Sequence, residues 1–327
     1  MQRRRALHGL GASLCWGVPR AQAQANAGLR RVAVLQVPSA AATDERSEAF
    51  RRGMHEHGWV EGRNLEIVFA SAEGDLSRLD AIAAELLARR PEVIVNSSGA
   101  STRALQRATR SIPIVMVNAA NPVANGFVAS LARPGGNITG QTNQQEDTLG
   151  KAIEALHEVA PAARRVAIVV NEVNPSAVAL WTAARSACAA MQLVPLRVAA
   201  NTPAQLPAAV SQIVSQRAQA VLFIADPMFT SERREIQRLM HATRLPAAYG
   251  LRDHVLVGGL LSFGFNLTAS WHYAAKYVDA ILKGAKPADL PVEQPTRFEL
   301  VINLGTAKAL GLTIPQTLLL RADEVIQ

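Results

Sequence analysis

From Arg31 onward, short β-branched apolar runs alternate with longer stretches of helical periodicity, and this alternation constrains the fold more than any other feature of the chain. The runs 31–37 (RVAVLQV), 64–70 (NLEIVFA), 92–95 (EVIV), 114–117, 165–170, 193–198 and 220–224 read as strands. Between them, 44–57, 75–90 and the stretches after 99, 151, 175 and 203 read as helices, and a helical pattern also follows Pro122. Strands covered on both faces lose polar alternation, and a helix between two of them is the crossover that a parallel sheet needs. In the first helix Thr43 is the expected N-cap, with Arg46 and Glu56 on the wetted face; in the second, Leu79, Ile82, Leu86 and Leu87 form one apolar stripe and Pro91 is the stop.

The plan occurs twice. A first set of units runs to 142–143 and a second begins at the helix 151–159, with a strand at 260–263, a helix at 270–283 and a strand at 297–302 closing the chain. The reading is an α/β fold of two Rossmann-like lobes with parallel sheets. In such sheets the ligand crevice opens beyond the carboxyl ends of the strands. The loops that fall there are alike: NAANPV in the first half, NEVNPS and ADPMFT in the second. Candidate ligand-binding residues are therefore Ser39, Ser98, Gly99, Ser101, Asn118 and Asn121 from the first half, facing Asn174, Asp226 and Tyr249 from the second. A helix that opens in Ser and Gly presents free backbone N–H groups, so Gly99 to Ser101 suit a carboxylate, and Asp226 is the acid best placed for an ammonium. The competing reading is that the serines and Asp226 only cap the helices that follow them.

Several chemistries lack their groups. There is no phosphate-binding Gly-x-x-x-x-Gly-Lys-Ser/Thr, and the loop PSAAATDE after the first strand has no Gly-x-Gly-x-x-Gly, so no nucleotide cofactor is expected. His55 and His57 would point about 200° apart on a helix, and the other histidines have no Cys or carboxylate at ligand spacing, so no metal site is expected. No catalytic residue is assigned. Glu172, Asp226 and Asp253 leave open a secreted α/β hydrolase or dehydrogenase as the alternative, while a repressor on this fold would need an N-terminal helix-turn-helix. The formal charge of +8 is not a nucleic-acid signature: four of the 34 basic residues (Arg3, Arg4, Arg5, Arg20) lie in the first 25, where there is no acid, leaving 30 against 26 and no basic tract. Residues 1–25 read as an export signal, with Arg3 to Arg5 ahead of a short apolar region and small-residue cleavage options after Ala23 or Ala25. Leu14 before Cys15 is a poor lipoprotein site, and Cys188 remains as a lone thiol on an Ala-rich helical pattern, read as a core residue.

The stretch 113–143, PIVMVNAANPVANGFVASLARPGGNITGQTN, resembles the substrate-binding proteins of the tryptophan/tyrosine-type ABC uptake family, whose pattern here runs iPiVf...DPV..GlVaSLarPGGNiTG. GGLLSFG at 258–264 and ILKGAKPADLPVEQPTRFELVINLGTAKA at 281–309 extend the likeness, which runs from about residue 30 to the C-terminus. Two positions depart from the pattern, Asn121 for an Asp and Phe263 for the aromatic of a family sYG, and both bear on ligand identity more than on fold. The resemblance implies type I periplasmic-binding-protein architecture with three crossings between lobes. The first lobe would comprise 29–142 plus 267–291 and the second 143–266 plus 292–327. It also implies a periplasmic, non-enzymatic receptor, taken to be a monomer. The ligand would be a small polar molecule, an amino acid or related small carboxylate, and the partner a membrane ABC permease with its ATPase.

Overall fold

The computed structural model describes residues 28–295 and 298–327, with the backbone alone at 40–43; the candidate export signal and Cys15 lie outside the described residues. The first sheet is built from β1 (Arg30–Gln36), β2 (Leu65–Ser71), β3 (Val93–Asn96), β4 (Ile114–Ala119) and β5 (Ile138–Thr142), connected by α1 (Ala40–Glu56), α2 (Leu79–Ala88) and α3 (Gly99–Ala108). Its order is β2-β1-β3-β4-β5, all parallel. The chain then builds α4 (Gln145–Val159), β6 (Arg165–Val170), α5 (Ala177–Ala190), β7 (Val194–Ala199), α6 (Leu206–Ser215) and β8 (Ala220–Phe223). After these come α7 (Pro227–Ser231), α8 (Arg233–Thr243), β9 (Ala247–Tyr249) and β10 (Leu261–Phe265). Next, α9 (Leu267–Leu282) packs back on α1, where Trp271 meets Phe50 edge-on at 6.2 Å, and on the faces of β3, β4 and β5. The chain ends with β11 (Phe298–Asn303), α10 (Leu304–Leu310), α11 (Gln316–Leu319) and β12 (Glu324–Ile326). The second sheet runs β12-β11-β10-β9-β8-β6-β7.

Each sheet is covered on both faces, which is why its strands read as apolar runs. In the first, Val34, Val95 and Val115 face α1 and α9, while Leu35, Ile94 and Met116 face α2 and α3. In the second, Ile168 and Leu222 face α4 and α5, while Val169 and Phe223 face α6 and α8. Cys188 is a core residue of α5, and burial pushes its thiol up to about 11.

Four expectations are corrected. α1 starts at Ala40 behind Ser39, so Thr43 lies inside the helix instead of capping it. The pattern after Pro122 forms no helix: the N–H groups of Phe127 and Val128 both turn back to the Pro122 carbonyl, Gly126 takes a φ of +66°, and Phe127 with Val128 is buried against the sheet. The second sheet is not wholly parallel, because β11 lies antiparallel to β10, with Leu261 opposite Ile302. Arg46 is not on the wetted face, and its position is described with the cleft.

Candidate ligand-binding cleft

The carboxyl ends of β3 and β4 in the first sheet face those of β6 and β8 in the second, and their loops enclose a cavity of about 50 Å³. On the first side, β3 ends in Asn96, whose Oδ1 accepts hydrogen bonds from Ser101 Oγ at 2.9 Å and Thr102 Oγ1 at 2.8 Å. Ser98 then caps α3, its hydroxyl accepting the Ser101 N–H at 3.2 Å while its own N–H donates to Ser101 Oγ at 3.1 Å. This reciprocal box fixes the turn and leaves the Gly99 and Ala100 N–H groups without an intrahelical acceptor. Ser98 and Gly99 line the cavity; Ser101, fully buried, holds the turn and does not line it.

Asn118, near the end of β4, lines the cavity from the same side. Its carbonyl accepts Asn143 Nδ2 at 2.9 Å, and its Oδ1 is buried with no partner among the described residues. Asn121 stands outside: with φ at +44° it turns away from the cavity, and its Nδ2 donates to Glu146 Oε1 at 2.9 Å across the mouth of the cleft. Ser39 is also outside the cavity, its N–H donating to Ser231 Oγ at 3.1 Å from one half to the other.

On the second side, Asp226 is 5% exposed and lines the cavity. Its Oδ1 accepts from Asn171 Nδ2 at 3.1 Å and from the Met228 N–H at 2.8 Å, and its Oδ2 from Asn174 Nδ2 at 2.7 Å. Asp226 thus caps α7 and also lines the cavity. Burial raises its carboxyl pKa, against the opposing pull of Asn174, Asn171 and the α7 backbone. No Lys or Arg forms an ion pair with it among the described residues. The groups that engage it, the two asparagine amides and the α7 N–H groups of Met228 and Phe229, are all neutral donors, so a carboxylate here carries a charge that no cation compensates among the described residues.

Tyr249 is not in the cavity. At the end of β9 it is 1% exposed, sandwiched between Phe223 at 5.6 Å and His254 at 4.6 Å, and its hydroxyl donates to Gln237 Oε1 at 3.0 Å. In its place the structure brings in a residue that the sequence reading put in solvent. Arg46, two turns into α1, is 3% exposed, lines the cavity, and forms an ion pair through Nη2 with Asp253 of the second half. Gln145, whose Nε2 donates to the Ala225 carbonyl at 2.8 Å, and the apolar wall of Leu251, Phe265 and Leu267 were also missed. They lie at element starts and strand ends, as the Asn- and Ser-rich loops do, so position past a strand's carboxyl end is the signal they share.

The cavity is therefore lined by N–H donors and the Asp253-paired guanidinium of Arg46 on one side and by the Asp226 carboxyl on the other. No cluster of three or more metal-ligating side chains occurs among the described residues.

The sequence profile of the family described as ABC transporter substrate binding protein matches residues 31–326. A tyrosine-binding protein of Clostridioides difficile is 22% identical over 284 residues, 86% of this chain and 81% of that one. Among solved structures, a conserved domain protein of Vibrio cholerae superposes with a TM-score of 0.84 at 28% identity, covering 90% of this chain and 99% of its own. An ABC domain from Streptococcus pneumonia in complex with L-Trp gives 0.84 at 24% identity, covering 91% and 100%.

Proposed function

Because this chain belongs to the family of ABC transporter substrate-binding proteins, which bind their substrates and do not transform them, we propose that it captures an amino acid between two lobes and delivers it to a membrane permease and its ATPase for uptake. The observation that carries this reading is Asp226: a buried carboxyl with no cationic partner among the described residues, lining the same cavity as Asn118, whose Oδ1 has no partner among them, and the open N-terminus of α3. A ligand ammonium supplies the missing charge, and its carboxylate takes the Gly99 and Ala100 N–H groups.

The lobes of this reading are 29–142 with 267–291 and 143–266 with 292–327, hinged near Thr142, Gly264 to Leu267 and Leu290 to Pro295. Members of the family work outside the cytoplasm, and an export signal at 1–25 would place this chain in the periplasm.

Calorimetric titration of Asp226→Asn tests the assignment. Asn caps a helix as well as Asp does, so the bond from the Met228 N–H survives, while the charge and the acceptor that Asn174 Nδ2 meets are lost. Removing one partner of a buried pair costs about 3 to 5 kcal/mol, so amino-acid affinity falls at least about a hundredfold while a hydroxy acid of the same shape is little affected. Unchanged amino-acid affinity in a variant that melts normally overturns the reading.

A further inference from the structure

We infer that the cleft selects a compact amino acid, of the size of glycine, alanine or serine, and that the Arg46–Asp253 pair sets this limit. The inference rests on the amino-acid reading above and adds the class of side chain.

The first observation is size. The cavity measures about 50 Å³, and by the same measure one water needs about 10 to 15 Å³. The space therefore takes an α-amino and α-carboxyl group with a methyl or hydroxymethyl, whereas a phenol or indole ring exceeds it. The second is what bounds the space. Arg46 reaches in from α1 with its side chain 4% exposed and meets Asp253, itself 18% exposed, in the 3-10 turn Arg252–Val257 of the other half. The pair joins the two halves beside the cavity, so a longer ligand side chain directed toward Arg46 meets it and must separate the pair or hold the cleft open. Burial of Arg46, with Asp253 largely covered, makes the first route costly. The third is the lining: Phe265 is its one aromatic residue among those described, and it packs in one cluster with Leu251 and Leu267, an apolar wall suited to a methyl and offering no ring on the opposite side to stack a second one.

The test is calorimetric titration of protein freed of bound ligand by unfolding and refolding, with glycine, L-alanine, L-serine, L-tyrosine and L-tryptophan as probes. At least one compact amino acid binds at least about tenfold tighter than either aromatic one. Arg46→Ala with Asp253→Ala, which removes both charges and leaves neither unpaired, brings the aromatic ligands to within threefold of the compact one or better. A wild type that prefers tyrosine or tryptophan overturns the inference and leaves the amino-acid reading standing. Failure of all five probes to bind overturns the inference, and failure of the remaining amino acids as well overturns the amino-acid reading. If the double variant folds, as its melting curve shows, and still excludes the aromatic pair, the limit is not set by Arg46 and Asp253. Should it not fold, Asp253→Asn, which keeps the volume and weakens the clasp, is expected to narrow the preference at least threefold; an unchanged preference counts against the pair.

Discussion

His254 is buried against Tyr249 with its Nδ1 unpartnered, and burial lowers its pKa from 6.5 to about 4, with Asp253 opposing and Arg233 and Arg46 adding to the shift. The folded state keeps this ring neutral where the unfolded chain protonates it. Stability from this residue is thus fully present above pH 6.5 and is lost as the pH falls toward 4, a loss of roughly 3 kcal/mol. Asp226 works the other way: its raised pKa means that protonation on acidification relieves a desolvation cost in the unliganded fold. Urea denaturation of wild type and His254→Phe at a series of pH values separates the two. The wild type loses stability across the window and the variant loses much less; equal slopes would show that another group is responsible. An ammonium ligand needs Asp226 ionised, so its affinity falls as the pH drops through that residue's raised pKa.

At this scale the site was half legible. Ser98, Gly99, Asn118, Asn174 and Asp226 were reached by position alone, because a residue just past a strand's carboxyl end faces the crevice. Tyr249 satisfied the same rule and failed it, since the last residue of a strand still obeys the pleat and this one points into the layer under α8. Arg46 was illegible for a different reason: its partner lies 207 residues away in the sequence, and on its own helix a lone arginine looks like a solvated one.

Among the elements, β5 carries the sharpest sequence constraint. Gly140 has a φ of +125°, and a Cβ there would fall on the backbone carbonyl oxygen of Met116 in the neighbouring β4. No side chain fits, and the β4–β5 register slips just beyond this point, between Met116 and Ala119. Gly140→Ala is expected to cost about 3 kcal/mol or more, from strain and overpacking together, read as a drop in the denaturation midpoint; a variant as stable as the wild type would show that the strands part easily. Periodicity located the central strands and the helices that cover them because both faces of each sheet are covered, but it did not reach β5, β9 and β12 or α7, α8, α10 and α11. It misled at 123–133, where apolar residues at helical spacing serve a turn that Gly126 bends and Phe127 anchors. The antiparallel seating of β11 was beyond its reach, since an apolar run carries no direction.

For the whole molecule, the proposed function takes the two sheets as the bodies and the links between them as the hinge. Few polar contacts join the lips of the cleft away from the links: Ser39 with Ser231, Asn121 with Glu146, Arg46 with Asp253. Contacts of this kind form and release without disturbing either core, so a ligand that bridges Asp226 and the start of α3 shifts the balance toward the closed arrangement by its added contacts. Small-angle scattering of ligand-stripped protein, alone and saturated with its tightest-binding amino acid, measures that shift. A smaller radius of gyration with ligand is the predicted result; an unchanged radius at a concentration where calorimetry shows the site filled would contradict capture by closure.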